Sequence, residues 1–168
     1  CARLLDRSFV PSLAAFVLSI PVPWILGLSS PGAAWLPVAG LLSVALISLT
    51  EPPDHRRPML SLFAWAFVLR AAALVVVTLQ LDAHGLVYLS PDGQGYLLEA
   101  ELAARNFSVT DHPVAVFQSY DVAHYYLFAA ALRVLGGGLV SLQLLNTTLM
   151  AISVPIVFAL ARFIVPRH

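Results

Sequence analysis

The sequence predicts an all-α membrane protein with about four transmembrane helices and further helices at the outer membrane surface. Three observations favour this fold class. The 168-residue chain is 60% hydrophobic and only 11% charged, with a mean hydropathy of +0.86, whereas soluble domains are about 25% charged. Four apolar segments approach or exceed the length of about 20 residues that a membrane helix needs. The arginines and the acidic residues also fall into different segments of the chain.

The predicted spans cover about Phe9–Leu28, Ala34–Thr50, Met59–Leu81 and Leu139–Val165. A fifth apolar run, Val122–Leu135, is short for a span and suits an interfacial or re-entrant helix. Pro21, Pro23 and Pro155 fall inside spans, where neighbouring helices can satisfy the freed carbonyl groups. We therefore expect kinks at these positions.

Composition excludes several classes of protein. So much apolar surface cannot be hidden in a soluble domain of this size, and a disordered chain is excluded by the same apolar content. Nine basic residues, all arginine, balance nine acids, so nucleic-acid binding is not expected. The single cysteine, Cys1, rules out disulfides within the chain. Because the sequence does not start with Met, we expect a piece of a longer protein.

Positive charge predicts the orientation, because arginine accumulates on the cytoplasmic side. A cytoplasmic N-terminus places six of the nine arginines inside: Arg3, Arg7, Arg56, Arg57, Arg162 and Arg167. Only Arg105 and Arg133 then lie outside, and Arg70 lies within the third span. We expect a multi-pass protein of the bacterial inner membrane, with loop 82–138 on the outer side.

The outer segment is the part of the chain where chemistry is expected. Six of the nine acids fall within residues 82–121. Ser90, Pro91 and Asp92 form a helix-start signature, and Asp92, Tyr96 and Glu99 then share one helix face. A carboxylate at the membrane boundary could act as a general base or hold a cation. The simpler interpretation of Asp92 is a first-turn acid that stabilises the helix dipole.

Two further features of the sequence have open interpretations. Asp111, His112, Asp121 and His124 could bind a metal, but their spacing fits no standard zinc pattern; Asp121 and His124 could instead flank the next helix. Arg70 is costly inside a membrane and either faces a partner group or extends to the interface from a shifted span.

Residues 59–168 resemble the N-terminal part of the GT-C glycosyltransferases that use lipid-phosphate sugars, such as protein O-mannosyltransferases and aminoarabinose transferases. The resemblance has three parts: the apolar span with Phe67-Val68-Leu69-Arg70, the outer Pro91-Asp92-Gly93-Gln94-Gly95-Tyr96 followed by Leu102-Ala103-Ala104-Arg105, and the segment LRVLGGG with the apolar span after it. Leu145-Asn146 and Ala161-Arg162 lie near the start and at the end of that span.

The resemblance implies an inverting transferase that moves a sugar from a polyprenyl-phosphate donor to an acceptor on the outer membrane face. Asp92 matches the family's acid in the first outer loop, which serves as catalytic base or, in some branches, helps to bind a metal. Tyr96 and Glu99 would support it, and Asp121 and His124 would lie near the acceptor entrance. No cofactor is expected beyond the lipid-linked donor and, in some branches, a divalent metal.

This sequence also departs from the family pattern. Gly93 follows Asp92 where many relatives have a second acid, and residues 1–58 add two N-terminal spans. The expected partners are the polyprenyl-phosphate sugar, membrane lipids and the remaining helices of a longer chain or of partner subunits. The alternatives to a transferase are a transport or channel subunit and a non-catalytic membrane scaffold.

Overall fold

A computed structural model describes residues 7–21, 32–83, 100, 104, 122–136 and 139–164. In this part of the chain the regular structure is helical, without any strand, which confirms the all-α prediction. The elements are α1 (Phe9–Ser19), a 3₁₀ turn (Ala33–Trp35), α2 (Leu36–Ser48), α3 (Pro53–Ala83), α4 (Val122–Leu135) and α5 (Leu139–Ile164).

Two of these helices are long and apolar enough to cross a membrane. They contain the 28-residue segment Pro53–Gln80 of α3 and the 23-residue segment Val140–Arg162 of α5. Only 28% of each apolar window is buried inside the protein, whereas the core helix of a soluble protein is mostly buried. Both helices therefore indicate association with a membrane. The other apolar helices are shorter within the described residues.

Prolines explain where the observed helices differ from the predicted spans. α1 ends at Ser19, and Ile20 and Pro21 form a turn, so the predicted kink at Pro21 is a helix end. Proline cannot supply the N–H group that would continue the helical bonding. α3 begins at Pro53, earlier than expected, because the first helical position needs no N–H partner. The helix continues past Pro58.

α1 and α3 run parallel to each other. The guanidinium carbon of Arg57 lies 6.0 Å from the centre of the Phe9 ring, at the start of both helices. Further along, the Ser12 and Ser61 hydroxyl groups hydrogen-bond at 3.3 Å. Residues of α1 thus lie level with residues of α3 that come about 49 positions later in the sequence.

α2 and α5 run antiparallel to α3. A Cβ atom placed on Gly40 of α2 would lie 2.7 Å from Thr148 Cγ2 of α5 and 2.9 Å from Phe63 Cζ of α3. We call Gly40, Phe63 and Thr148 the central layer. The turn before α3 and the end of α5 also meet, through an ion pair between Glu51 and Arg162.

The interior of the bundle contains many small or hydroxyl-bearing residues, and large aliphatic side chains point outward. Buried polar residues of this kind are Ser12, Ser19, Ser48, Ser61, Ser141, Thr147 and Thr148. Leu42, Leu46 and Leu160 are exposed. This distribution is typical of membrane helices, which pack closely through small residues while lipid covers the apolar exterior.

A methyl group at Gly40 should destabilise the bundle. Gly40→Ala places a Cβ closer than 3.0 Å to Thr148 and Phe63, and Thr148 is held by a 2.9 Å hydrogen bond to the Leu144 carbonyl. We expect a loss of about 1–3 kcal/mol in unfolding free energy in detergent, as for other overpacked cores. Ala39→Leu, at the neighbouring exposed position, is the matched control and should change stability little. Equal effects of the two substitutions would contradict close packing at Gly40.

Candidate functional site

Most of the predicted site residues lie outside the described part of the chain. Asp92, Tyr96, Glu99 and Asp121 belong to this group, so their roles stay predictions. His124 lies in the first turn of α4. The structure does describe Ala100 and Ala104, which follow these residues in the sequence, and the environment of Arg70.

Ala100 and Ala104, both in helical conformation, lie against the α4–α5 hairpin. Ala100 is fully buried and forms a small apolar cluster with Leu132 and Leu142, onto which Ala104 also packs. The hairpin itself turns at Gly136, whose φ of 67° favours glycine, and the Gly136 N–H donates to the Leu132 carbonyl at 2.9 Å. Ala100 and Ala104, which follow Asp92 in the sequence, therefore contact α4 and α5. Both helices belong to the segment that resembles the GT-C glycosyltransferases.

Arg70 lies where the packed part of the bundle ends. Ala71 is buried, and every residue from 72 to 80 is at least partly exposed. At the offset between α1 and α3, Arg70 is level with Pro21, where α1 has already ended. Arg70 is thus at the edge of the bundle instead of at its centre.

The length of α3 before Arg70 bears on whether Arg70 faces a partner group inside the membrane or extends to the membrane surface. From Pro53 to Arg70 the helix rises about 26 Å at about 1.5 Å per residue, close to the hydrocarbon thickness of about 30 Å. That stretch also contains Asp54, Arg56 and Arg57, and the apolar helix continues beyond Arg70 to Ala83, so the length of α3 by itself does not place Arg70 at the outer boundary. Its Nη1 donates to the Ala66 carbonyl at 3.4 Å, and within the described residues it forms no ion pair with an acid.

The opposite end of the bundle carries a cluster of charges that sequence reasoning missed. Arg162 Nη1 lies 2.8 Å from Glu51 Oε2, with 24% and 12% of the two side chains exposed. Arg56 donates from Nε to the Glu51 carbonyl at 3.2 Å and from Nη2 to the Leu49 carbonyl at 3.4 Å. These bonds satisfy carbonyl groups of the turn between α2 and α3. We call Glu51, Arg56 and Arg162 the charged end.

Removing one partner of the ion pair should destabilise the protein. Glu51→Gln leaves the half-buried Arg162 without its carboxylate partner. We expect the free energy of unfolding to fall by about 1–3 kcal/mol, which is less than for a fully buried ion pair because both side chains stay partly exposed to solvent. Asp54→Asn, at a side chain that is 73% exposed, should have little effect. Unfolding in detergent measures both. A Glu51→Arg/Arg162→Glu exchange that recovers nothing would argue against a direct interaction.

No metal centre is assembled from the described residues, where no group of three histidine, cysteine, aspartate or glutamate side chains comes together. Asp111, His112 and Asp121, from the candidate metal set, lie outside those residues. Comparison of the chain with protein-family models, with curated proteins and with solved structures gave no match.

Proposed function

We propose that this chain forms the N-terminal part of an integral-membrane glycosyltransferase that uses a polyprenyl-phosphate sugar as donor. The observation that carries the proposal is the position of Pro91-Asp92 shortly after α3, an apolar helix of 31 residues with Arg70 on it. The sequence predicts that an acid so soon after an apolar helix is close to the membrane boundary, where a lipid-linked donor presents its sugar. The resemblance of residues 59–168 to the GT-C glycosyltransferases assigns the chemistry.

In the proposed reaction the acceptor nucleophile attacks the anomeric carbon of the sugar. The bond from that carbon to the phosphate oxygen breaks, and polyprenyl phosphate leaves with the electron pair. Asp92 takes the proton of the acceptor as general base, and the configuration at the anomeric carbon inverts. Tyr96 and Glu99 are proposed to position the acceptor or Asp92, and Asp121 and His124 to lie near the acceptor entrance.

The direction of the helices supports an outer location for this chemistry. The Glu51–Arg162 pair brings the start of α3 and the end of α5 to one face of the bundle. Arg7, Arg56 and Arg57 precede or begin helices at the same face, and arginine favours the cytoplasmic side. We therefore propose four spans, a cytoplasmic N-terminus and an outer segment that begins after α3.

The packed interior argues against a channel or transport subunit. Phe16, Phe63 and Phe67 fill the space between α1 and α3, with ring centres 5.3–6.2 Å apart. A water-filled path requires polar side chains or constrictions along a pore, and these rings occupy the interior of the described bundle. An enzyme that works at the outer membrane face fits such a core better.

Transfer by the full-length protein tests the proposal directly. Proteoliposomes are supplied with radiolabelled polyprenyl-phosphate sugars and a membrane extract as acceptor source, with and without a chelator for divalent metals. We expect label to move from the donor to an acceptor. Ion flux in the same vesicles without any transfer would support the channel alternative, and neither activity would support a scaffold.

A further inference from the structure

One layer of the bundle combines an arginine with a buried hydroxyl group. Ala33, Arg70 and Ser141 each lie one heptad from the central layer of Gly40, Phe63 and Thr148, in the direction away from the charged end. A heptad is close to two full helical turns, so Arg70 on α3 and Ser141 on α5 stay on the faces of Phe63 and Thr148, and Ala33 lies in the 3₁₀ turn before α2. The layer is displaced by about 10 Å along the bundle. We call Ala33, Arg70 and Ser141 the Arg70 layer.

The burial pattern of α5 confirms the face on which Ser141 lies. The buried positions Ser141, Leu144, Thr148 and Ala151 alternate in spacings of three and four, which is the stripe that faces neighbouring helices. On α3 the buried Met59, Phe63 and Ala66 follow the same alternation, and Arg70 is its next member. Ser141 and Arg70 therefore continue the two stripes whose members Thr148 and Phe63 meet in the central layer.

Ser141 has an unsatisfied hydroxyl group. The residue is 1% exposed, and its Oγ has no hydrogen-bond partner in the part of the chain that the structure describes. An unpaired buried hydroxyl costs stability, and alanine would fill the site without that cost. A buried hydroxyl group of this kind points to a ligand. It also lies in the first turn of α5, where backbone N–H groups and the helix dipole favour an anion.

Arg70 supplies the positive charge. Among the described residues its one hydrogen bond is the long contact to the Ala66 carbonyl at 3.4 Å, and a guanidinium group has five N–H donors in a planar fork. Leu69 beside it is 66% exposed on the outside of the bundle, so a lipid molecule can approach from the side. The layer therefore offers a cation and a hydroxyl group to an oxyanion that arrives through the membrane.

We infer that Arg70 and Ser141 bind the phosphate group of a membrane lipid at the outer end of the bundle. Arginine forms paired, charge-assisted hydrogen bonds with phosphate oxygens, and Ser141 and the first N–H groups of α5 donate to the same anion. The assignment of that lipid as the polyprenyl-phosphate donor rests on the proposed function; the phosphate site itself does not.

Binding of farnesyl phosphate to the full-length protein in zwitterionic detergent tests the site. Arg70→Gln should weaken binding about 10- to 100-fold, as expected for loss of a charge-assisted pair, and Arg70→Lys should weaken it less. Ser141→Ala should weaken binding by about 3- to 10-fold, although it leaves stability unchanged or raises it. Arg57→Gln and Ser153→Ala, at the other end of α3 and further along α5, should leave binding unchanged.

Competition separates the possible ligands. Farnesol, which lacks the phosphate, should bind more weakly than farnesyl phosphate. Equal binding of farnesol and farnesyl phosphate would overturn the proposed phosphate site. Unchanged binding of farnesyl phosphate by both Arg70→Gln and Ser141→Ala would overturn it as well. Weaker competition by phosphatidylglycerol and inorganic phosphate supports the donor as ligand, and equal competition by either one contradicts that assignment. Loss of binding in the variants with no transferase activity in the wild-type protein would refute the proposed function and leave the phosphate site standing.

Discussion

Asp92→Asn in the full-length protein should abolish sugar transfer while membrane insertion stays intact. The amide keeps the size of the carboxylate but cannot take the acceptor proton, and a general base contributes about 10²- to 10⁴-fold to a rate. We therefore expect the initial rate at saturating donor to fall by at least about 100-fold. The affinity for the donor should change little, because Asp92 is proposed to act on the acceptor proton and not to bind the donor phosphate.

Glu101→Gln is the matched control for this substitution. It removes a neighbouring acid of the same outer segment that has no proposed role, and its transfer rate should stay near that of the unmodified protein. The membrane fraction and the helix content of both variants are measured alongside the rates. Near-normal turnover by Asp92→Asn would remove Asp92 from the mechanism, and equal losses in both variants would point to folding instead of catalysis.

Phe63→Ala should cause a large loss of stability. The Phe63 ring is fully buried, lies 5.6 Å from the Phe16 ring centre and meets α2 at Gly40, so its removal opens a cavity among α1, α2 and α3. Phenylalanine-to-alanine changes in cores cost about 3–5 kcal/mol. We expect the lower end, about 3 kcal/mol, because transfer from lipid to protein interior adds little to helix association. Unfolding in detergent measures the change.

Leu69→Ala provides the comparison. Leu69 is on the same helix but 66% exposed, so its truncation should shift stability by no more than about 0.5 kcal/mol, as for other surface sites. A similar loss in both variants would indicate that Phe63 is not a central packing residue.

The positions of the helices followed closely from sequence. Val122–Leu135 was expected as a short separate helix, and α4 has those bounds. The predicted span Leu139–Val165 agrees with α5, which ends at Ile164. These agreements arise because apolar length, flanking glycine and proline are local signals. The predicted third span starts at about Met59, whereas α3 begins six residues earlier, at Pro53, because the charged segment before Met59 carries no apolar signal although it is helical.

The candidate site was less predictable than the helices. Asp92 is recognised only through its sequence context, and no geometry among the described residues tests it. The Glu51–Arg162 pair joins positions 111 residues apart, and nothing local to either residue indicates the other. A usable signal did exist, since both residues lie at the ends of apolar segments that the arginine distribution places on one side of the membrane.

The sequence by itself determined the helical class, the apolar segments that can enter a membrane and the separation of arginines from acids. Only the tertiary structure decided that Arg70 lies at the edge of the packed helices that the structure describes, that Ser141 is buried, and that Glu51 meets Arg162. The physical reason lies in the solvent. Lipid is as apolar as a protein core, so hydrophobicity along a membrane helix does not mark the face that packs. That face is selected by close contact between small residues such as Gly40 and the side chains of neighbouring helices.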